Sequence, residues 1–123
     1  MLDNAPLIAF VTVSDATRAR HFYADLLGLE LVEEGPFALE FDCDGTMLRV
    51  ALSNHVVPAP YTALGWRVEN IGETVHKLAA AGIGLPQFEG LGQSPDGVWQ
   101  SLSGARVAWF KDPDGNLLSV TQF

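Results

Sequence analysis

The sequence predicts an α+β fold that is built from two consecutive copies of a β-α-β-β-β module. Residues 107–123 have the pattern strand, turn, strand, with the turn at DPDGN. A fainter copy of this pattern begins at Asp44, where DGTMLRV aligns with the segment DGNLLSV that begins at Asp114. The alignment places Arg49 opposite Ser119. Such an internal repeat indicates how the whole chain is organised.

The composition limits the chain to one domain with a real apolar core. It has 123 residues, of which 48% are hydrophobic and 18% charged, so the composition excludes disorder. The net charge of −8 argues against a nucleic-acid partner, because phosphates require a basic surface. No apolar run is long enough to span a membrane and no N-terminal leader is evident, which predicts a cytoplasmic protein. The single cysteine, Cys43, cannot form an internal disulfide.

The first module covers about residues 6–52. A β-branched and aromatic run predicts a strand over 6–13, and a helix follows over 16–27 with Asp15 as its N-cap and Gly28 after its last turn. Apolar residues recur on one face of this helix, which favours packing on a sheet. Three further strands are predicted over 29–33, 37–42 and 46–52.

Residues 53–61, with two prolines and no apolar period, form the predicted linker. The second module covers about 62–123 and repeats the same order of elements. Asn70 caps its helix and Gly82 follows the helix. Its strands are predicted over 62–68, 85–88, 105–110 and 117–121. About fifteen extra residues lie in a Gly- and Ser-rich loop within 88–104, which carries Trp99; loops of this length are usually functional or mobile.

The two modules, the RHFY segment at residues 20–23 with LLGL at 26–29, and the closing DPDGN together resemble the vicinal oxygen chelate superfamily. That superfamily includes glyoxalases, bleomycin-resistance proteins and extradiol dioxygenases. The resemblance implies a curved eight-stranded mixed sheet with the helices on its convex side. It also implies a concave funnel for a small ligand, and a homodimer.

The resemblance further implies four positions at which metal-dependent relatives hold a divalent ion. Two lie seven residues before the helix caps and two lie three residues after the Asn of DGN or its equivalent. These positions are Ile8, Ala63, Arg49 and Ser119. The first two have no donor atom, Arg49 is a permanent cation, and Ser119 offers only a weak neutral oxygen. We therefore predict no metal and no cofactor.

Strand alternation extends this placement to the rest of the concave side. Leu48, Val50, Trp66, Val68, Leu118 and Val120 should face the helices. The residues predicted to bind the ligand are Arg49, Ser119, Phe10, Met47, Trp99 and Thr121. Apolar walls with a few polar groups are typical of a small-molecule site.

Several of these residues have a second interpretation. Arg49 either binds an anionic ligand group or forms an ion pair with Glu40 on the neighbouring strand. Trp99 is either a lid or dimer contact, or part of simple loop packing. Trp109 is interpreted as a core residue. The three histidines, His21, His55 and His76, are interpreted as surface residues because none has ligand spacing.

The sequence thus predicts a metal-free protein that binds a small molecule in the funnel of the sheet. The alternative is an enzyme of the same superfamily, metal-independent through Arg49 or metal-dependent. The sequence indicates no inward His, Glu or Asp that could act as a general base, so it predicts no catalytic residues. The predicted partners are a small-molecule ligand and a second copy of the chain, with no nucleic acid and no membrane.

Overall fold

The computed structural model describes all 123 residues. The chain divides into two compact units, Met1–Val57 and Pro58–Phe123, and the boundary falls inside the predicted linker. Neither helical region has the length and apolar character that crossing a bilayer requires.

The first unit holds one helical region and a four-stranded sheet. Its elements are β1 (Ile8–Val13), α1 (Ala16–Arg20), a π-helical segment (His21–Leu26), β2 (Glu30–Glu34), β3 (Ala38–Cys43) and β4 (Thr46–Leu52). The strand order is β1-β4-β3-β2, in which β1 runs parallel to β4 and the other pairs are antiparallel.

The second unit repeats this topology. Its elements are β5 (Leu64–Arg67), α2 (Ile71–Ala80), β6 (Trp99–Gln100), β7 (Arg106–Lys111) and β8 (Leu117–Gln122). The strand order is β5-β8-β7-β6, again with one parallel pair, β5 with β8. The predicted α+β class and its two β-α-β-β-β modules are confirmed, and the strands form two four-stranded mixed sheets.

Both helices begin at the residues that the sequence predicts. The Asp15 carboxylate accepts a hydrogen bond of 2.8 Å from the Arg18 N–H, and the Asn70 side chain accepts one of 3.0 Å from the Glu73 N–H. Each cap satisfies an N–H group that has no partner within its helix. After α2 the chain turns at Gly82 with φ of +82°, where a side chain would be strained.

The first helix does not continue as α-helix to residue 27, which is a difference from the prediction. From His21 it widens into a π-helix, and the Leu27 N–H donates to the Phe22 carbonyl at 2.9 Å. Both Phe22 and Tyr23 are buried, and their rings meet edge to face at 5.0 Å between centroids. The wider turn lets two consecutive aromatic residues contribute to the core. The spacing of apolar residues along the helix does not predict such a turn.

The predicted strand over 85–88 is wrong, and the edge strand of the second sheet is Trp99–Gln100 instead. Pro86 has no N–H group to donate to a sheet. The Gln93 side chain binds the backbone of this segment, since it accepts from the Phe88 N–H at 2.6 Å and donates to the Pro86 carbonyl at 3.1 Å. These groups therefore have partners without a neighbouring strand.

The predicted alternation along the central strands is confirmed. Leu48 and Val50 in the first unit are at most 2% exposed, and Leu118 and Val120 in the second are at most 4% exposed. They lie on the side of each sheet that carries the core. The opposite side of each sheet is the open face, and it holds the predicted ligand-binding residues.

Candidate ligand-binding faces

Each unit presents one open face, and we name each face after its central residue. The Arg49 face of the first sheet consists of Ile8, Phe10, Thr12, Ala38, Glu40, Asp42, Met47, Arg49 and Ala51. The Ser119 face of the second sheet consists of Gly65, Arg67, Trp99, Val107, Trp109, Lys111, Leu117, Ser119 and Thr121. The predicted residues thus fall into two groups, with Phe10, Met47 and Arg49 on one face and Trp99, Ser119 and Thr121 on the other.

Arg49 forms the ion pair that the sequence offered as its second interpretation. It lies between Phe10 and Glu40 in the strand register. Its Nη1 atom is 2.6 Å from the Glu40 Oε1 atom, and the two side chains are 38% and 20% exposed. A hollow of about 150 Å³ borders both residues. The positive charge of Arg49 is therefore already matched by a carboxylate.

Three apolar side chains on the same face as this ion pair are exposed. Ile8 is 47% exposed, Phe10 is 59% exposed and Met47 is 39% exposed. Ile8 and Met47 are register partners on neighbouring strands. An apolar group of this size on a strand face is typical of a surface that contacts a ligand or another protein.

The Arg49 face also contains carboxylates, so the expectation that no acid faces inward is wrong. Glu40 and Asp42 alternate along β3 on this face, and Glu30 and Glu33 pair with them from β2. Four carboxylates thus accompany one arginine. The sequence is sufficient to place one of these acids, because a residue that pairs with Arg49 across the strands, as Glu40 does, must lie on the same face.

Ser119 is the centre of the second open face. It lies between Gly65 and Trp109 in the strand register, and it is 6% exposed. Its hydroxyl makes no hydrogen bond in the structure, although no side-chain polar atom is fully sealed without a partner. A Cβ atom at Gly65 would lie 2.9 Å from the Ser119 Oγ atom. The hydroxyl therefore points over the glycine, into space that only a residue without a side chain leaves free.

Three aromatic rings form a cluster beside Ser119. The Trp109 ring lies 6.1 Å from the Trp99 ring and 5.5 Å from the Phe88 ring, between centroids. The Trp109 indole N–H donates to the Thr62 hydroxyl at 3.2 Å. Trp109, which the sequence assigned to the core, thus lies on the open face. Trp99 belongs to edge strand β6 and contacts Trp109, so it is part of the wall of this face.

Arg67 is a functional candidate that strand alternation places on the inward side, although the sequence assigns it no role in ligand binding. Its guanidinium lies 5.3 Å from the centroid of the Phe123 ring, and it makes no ion pair or hydrogen bond. It comes two residues after Gly65 on β5, so strand alternation was sufficient to place it on the Ser119 face. Its freedom from any carboxylate could not be read from the sequence.

Three of the four positions inferred from the resemblance to metal-dependent relatives fall on the open sides of their strands. Ile8 and Arg49 belong to the first unit, and Ser119 belongs to the second. Ala63 directly precedes β5, and its N–H donates to the Leu117 carbonyl at 2.8 Å. The structure contains no group of three or more His, Cys, Asp or Glu side chains that could hold a metal ion.

The three histidines and Asp96 are not among the strand residues of the two open faces. His21 contacts Asp25 at 3.2 Å on the exposed side of the first helical region, and His55 is exposed in the linker. His76 borders a groove of about 590 Å³ between α2 and residues 82–96. This groove is larger than the hollow beside Arg49, but its polar side chains are only His76 and Asp96. Asp96 is already engaged, since it accepts hydrogen bonds from Ser94 and from the Val98 N–H.

The DPDGN segment forms a turn. Asp112 is 5% exposed, and its carboxylate accepts from the N–H groups of Asp114 and Asn116 at 3.0 and 2.9 Å. It also accepts from the Asn116 side-chain amide at 2.8 Å. Gly115 has φ of +88°, as a turn of this kind requires. These hydrogen bonds stabilise the turn, which accounts for the residues of the DPDGN motif.

Comparison with known proteins agrees with this fold. Residues 7–120 match the family model for the Glyoxalase/Bleomycin resistance protein/Dioxygenase superfamily. Because the match spans nearly the whole chain, the protein belongs to that superfamily. No curated protein matches its sequence significantly.

Solved structures of the same superfamily superimpose over nearly the full chain. A glyoxalase family protein from Enterococcus faecalis has a TM-score of 0.78 at 20% identity, covering 98% of this chain and 99% of the other. A superfamily member from Sphaerobacter thermophilus has a TM-score of 0.77 at 22% identity, with full coverage of both chains. The fosfomycin resistance protein FosX from Listeria monocytogenes has a TM-score of 0.77 at 13% identity, covering 98% and 93%. At these identities the likeness concerns the fold alone.

Proposed function

We propose that this protein is a metal-free small-molecule binding member of its superfamily, and that the Ser119 face holds the ligand. The observation that carries the proposal is the Ser119 hydroxyl, which is 6% exposed, has no hydrogen-bond partner and points over Gly65. Because this hydroxyl is not fully sealed, a polar group of a ligand can reach it and form a hydrogen bond.

The surroundings of Ser119 support the same proposal. Trp109 and Trp99 provide flat aromatic surface on one side, and Thr121 adds a second hydroxyl two residues along β8. Apolar and aromatic walls with a few placed polar groups are what small-molecule sites contain. Tryptophan rings also bury large area with little loss of conformational entropy, which favours tight binding of planar molecules.

The test is a ligand screen by thermal shift, followed by titration of tryptophan fluorescence. Gly65→Ala is the sharpest variant, because its Cβ would displace the Ser119 hydroxyl and narrow the site. We expect Gly65→Ala and Ser119→Ala to weaken any ligand found in the screen. Trp66→Phe is the matched control, since Trp66 stacks on Phe110 on the buried side of the same sheet. Unchanged affinity in both site variants would contradict the proposal.

A second candidate function is a metal-independent enzyme that uses the Arg49 face. The observation that favours it is the contact of 2.6 Å between Glu40 and Arg49 beside an accessible hollow. In such a pair Glu40 would act as general base and Arg49 would stabilise negative charge that develops on the substrate. Turnover of any screened compound that Glu40→Gln abolishes and Gly65→Ala leaves intact would favour this candidate.

The homodimer implied by the resemblance and the cytoplasmic location predicted from composition stay predictions. Sedimentation equilibrium with and without ligand measures the first directly. Localisation of a tagged chain in its host measures the second.

A further inference from the structure

We infer that the Ser119 face selects planar aromatic compounds that carry a carboxylate or phosphate group, and that Arg67 is the residue that binds the anion. This inference rests on the proposed function, and it names the class of ligand. It moves the anion-binding role from Arg49, where the sequence had placed it, to a residue on the other sheet.

The charge of the Ser119 face favours an anionic ligand. Among its strand residues are two cations, Arg67 and Lys111, and no carboxylate. The whole chain has only seven Lys and Arg against fifteen Asp and Glu. A face with two positive charges and no negative one therefore stands out in a protein of net charge −8. Such a face attracts anions and repels cations.

The Arg67 guanidinium contacts an aromatic ring but no carboxylate. One side of it is covered by the Phe123 ring at 5.3 Å, and it has no carboxylate partner. Stacking on an aromatic ring leaves the N–H groups at the edge of the guanidinium free. Those groups match the two oxygen atoms of a carboxylate or phosphate, which is the geometry of a bidentate pair. Phe123 is thus a positioning residue for Arg67.

Arg49 is less suited than Arg67 to bind an anion. Arg49 contacts Glu40 at 2.6 Å, on a face with four carboxylates among its strand residues and their register partners. An anion would have to displace Glu40 and approach the other acids. Arg67 requires no such exchange. Of these two arginines, only Arg67 can bind an anion without first losing a carboxylate partner.

The spacing of the cation and the aromatic wall also fits such a ligand. Arg67 on β5 pairs with Thr121 and Trp109 on β7 pairs with Ser119, so one strand, β8, lies between them, and they are offset by two residues along it. Strand geometry puts their Cα atoms about 12 Å apart. Between them lie only Gly65 and the small side chains of Ser119 and Thr121. A bicyclic aromatic ring on Trp109 with an anionic group directed at Arg67 fits this distance.

The test uses four naphthalene compounds that share a ring and differ in charge. They are 2-naphthoate, 2-naphthyl phosphate, neutral 2-naphthamide and cationic 2-naphthylmethylammonium. Affinity is measured by calorimetry for the intact wild-type protein at low and high salt. We expect the anions to bind about tenfold more tightly than the amide, because a hydrogen bond to a charged group is roughly that much stronger. The cation should bind most weakly, and added salt should reduce the preference for anions.

Variants identify the residue responsible. We expect Arg67→Gln to remove the preference for anions while leaving affinity for the amide within about twofold, because only the charged contact is lost. Phe123→Ala should reduce the ratio of anion to amide affinity without removing it. Arg106→Gln is the matched control, since Arg106 lies on the opposite side of the same sheet and pairs with Gln122. Lys111→Gln tests the second cation of the face.

The outcomes separate this inference from the proposed function. If all four compounds bind with similar affinity and Gly65→Ala weakens them, the Ser119 face binds ligands but Arg67 does not select anions. If Arg106→Gln or Lys111→Gln removes the preference instead of Arg67→Gln, the assignment to Arg67 is wrong. If no compound binds and the wider ligand screen also fails, the proposed function itself is contradicted. A preference for the phosphate over the carboxylate, or the reverse, identifies which anion the site takes.

Discussion

Arg49 and Ser119 occupy equivalent places in the two modules, yet their neighbours give them different chemistry. Arg49 lies between Phe10 and Glu40, whereas Ser119 lies between Gly65 and Trp109. The first is a neutralised pair among exposed apolar side chains. The second is an unpaired hydroxyl beside aromatic rings. Equivalent position in a repeat therefore predicts where a residue points, but the neighbours decide what it can bind.

A double-mutant cycle measures the Arg49 and Glu40 pair. Because both side chains are partly exposed, we expect a coupling of about 0.5 to 1 kcal/mol in the free energy of unfolding. Arg49→Ala, Glu40→Ala and the double variant are compared by urea denaturation. A coupling near zero would contradict a stabilising ion pair between Arg49 and Glu40.

Asp96 provides a prediction on pH. Its hydrogen bond from Ser94, assisted by the Val98 N–H and the nearby Arg106 charge, lowers the pKa of its carboxyl below the usual value of 3.8. The lowered pKa means that the charged form favours the folded state, so its stabilisation is full above 3.8 and disappears as the pH falls through the lower folded value.

We therefore expect Asp96→Asn to destabilise the protein near neutral pH and to have a smaller effect in acid below 3.8. Urea denaturation of both proteins over this pH range measures the difference. Glu89→Gln removes another exposed carboxylate of the same loop and is the control. A difference in stability that stays constant across the whole range would contradict the assigned cause.

At the scale of elements, the sequence predicted most of the fold because most local signals agree with it. The caps at Asp15 and Asn70 and the strand over Thr46–Leu52 are where turn chemistry and alternation place them. In the segment 85–88, which is predicted as a strand, the local signals do not agree with the fold. Apolar residues at 85–88 suggest a strand. Pro86, however, has no backbone N–H to donate to a sheet, and its carbonyl accepts a hydrogen bond from the Gln93 side chain. Side-chain bonds of this kind cannot be inferred from periodicity.

The cap of α2 gives a prediction at this scale. Asn70→Ala removes the acceptor for the Glu73 N–H at 3.0 Å, and we expect a loss of about 1 kcal/mol in the free energy of unfolding. Asn54→Ala, at an exposed linker position, should change it by less than about 0.5 kcal/mol. If the two variants lose the same amount, the cap does not stabilise the helix.

At the scale of the whole molecule, the repeat and its two open faces were predictable, but the division of roles between the faces was not. The sequence placed Phe10, Met47, Arg49, Ser119 and Thr121 on the open sides of their strands. It could not show which charged side chains on these faces are already paired. That contrast depends on side-chain contacts between neighbouring strands, such as the ion pair between β3 and β4.

A prediction on metals also belongs to this scale. None of Ile8, Ala63, Arg49 and Ser119 offers a good ligand atom, so we expect Mn²⁺, Ni²⁺ and Zn²⁺ to leave the melting temperature unchanged. Treatment with a chelator should likewise leave binding of an aromatic anion unchanged. Stabilisation by one of these ions at stoichiometric concentration would favour the metal-dependent alternative.

The central claim is that a ligand binds on the Ser119 face. The most direct measurement is the two-dimensional nitrogen–proton NMR spectrum of the labelled protein during titration with 2-naphthoate. We predict that the indole signals of Trp99 and Trp109 and the amide signals of Gly65 and Ser119 shift together, while the indole signal of Trp66 stays in place. Shifts confined to Phe10, Met47 and Arg49, or to the groove beside His76, would contradict the claim.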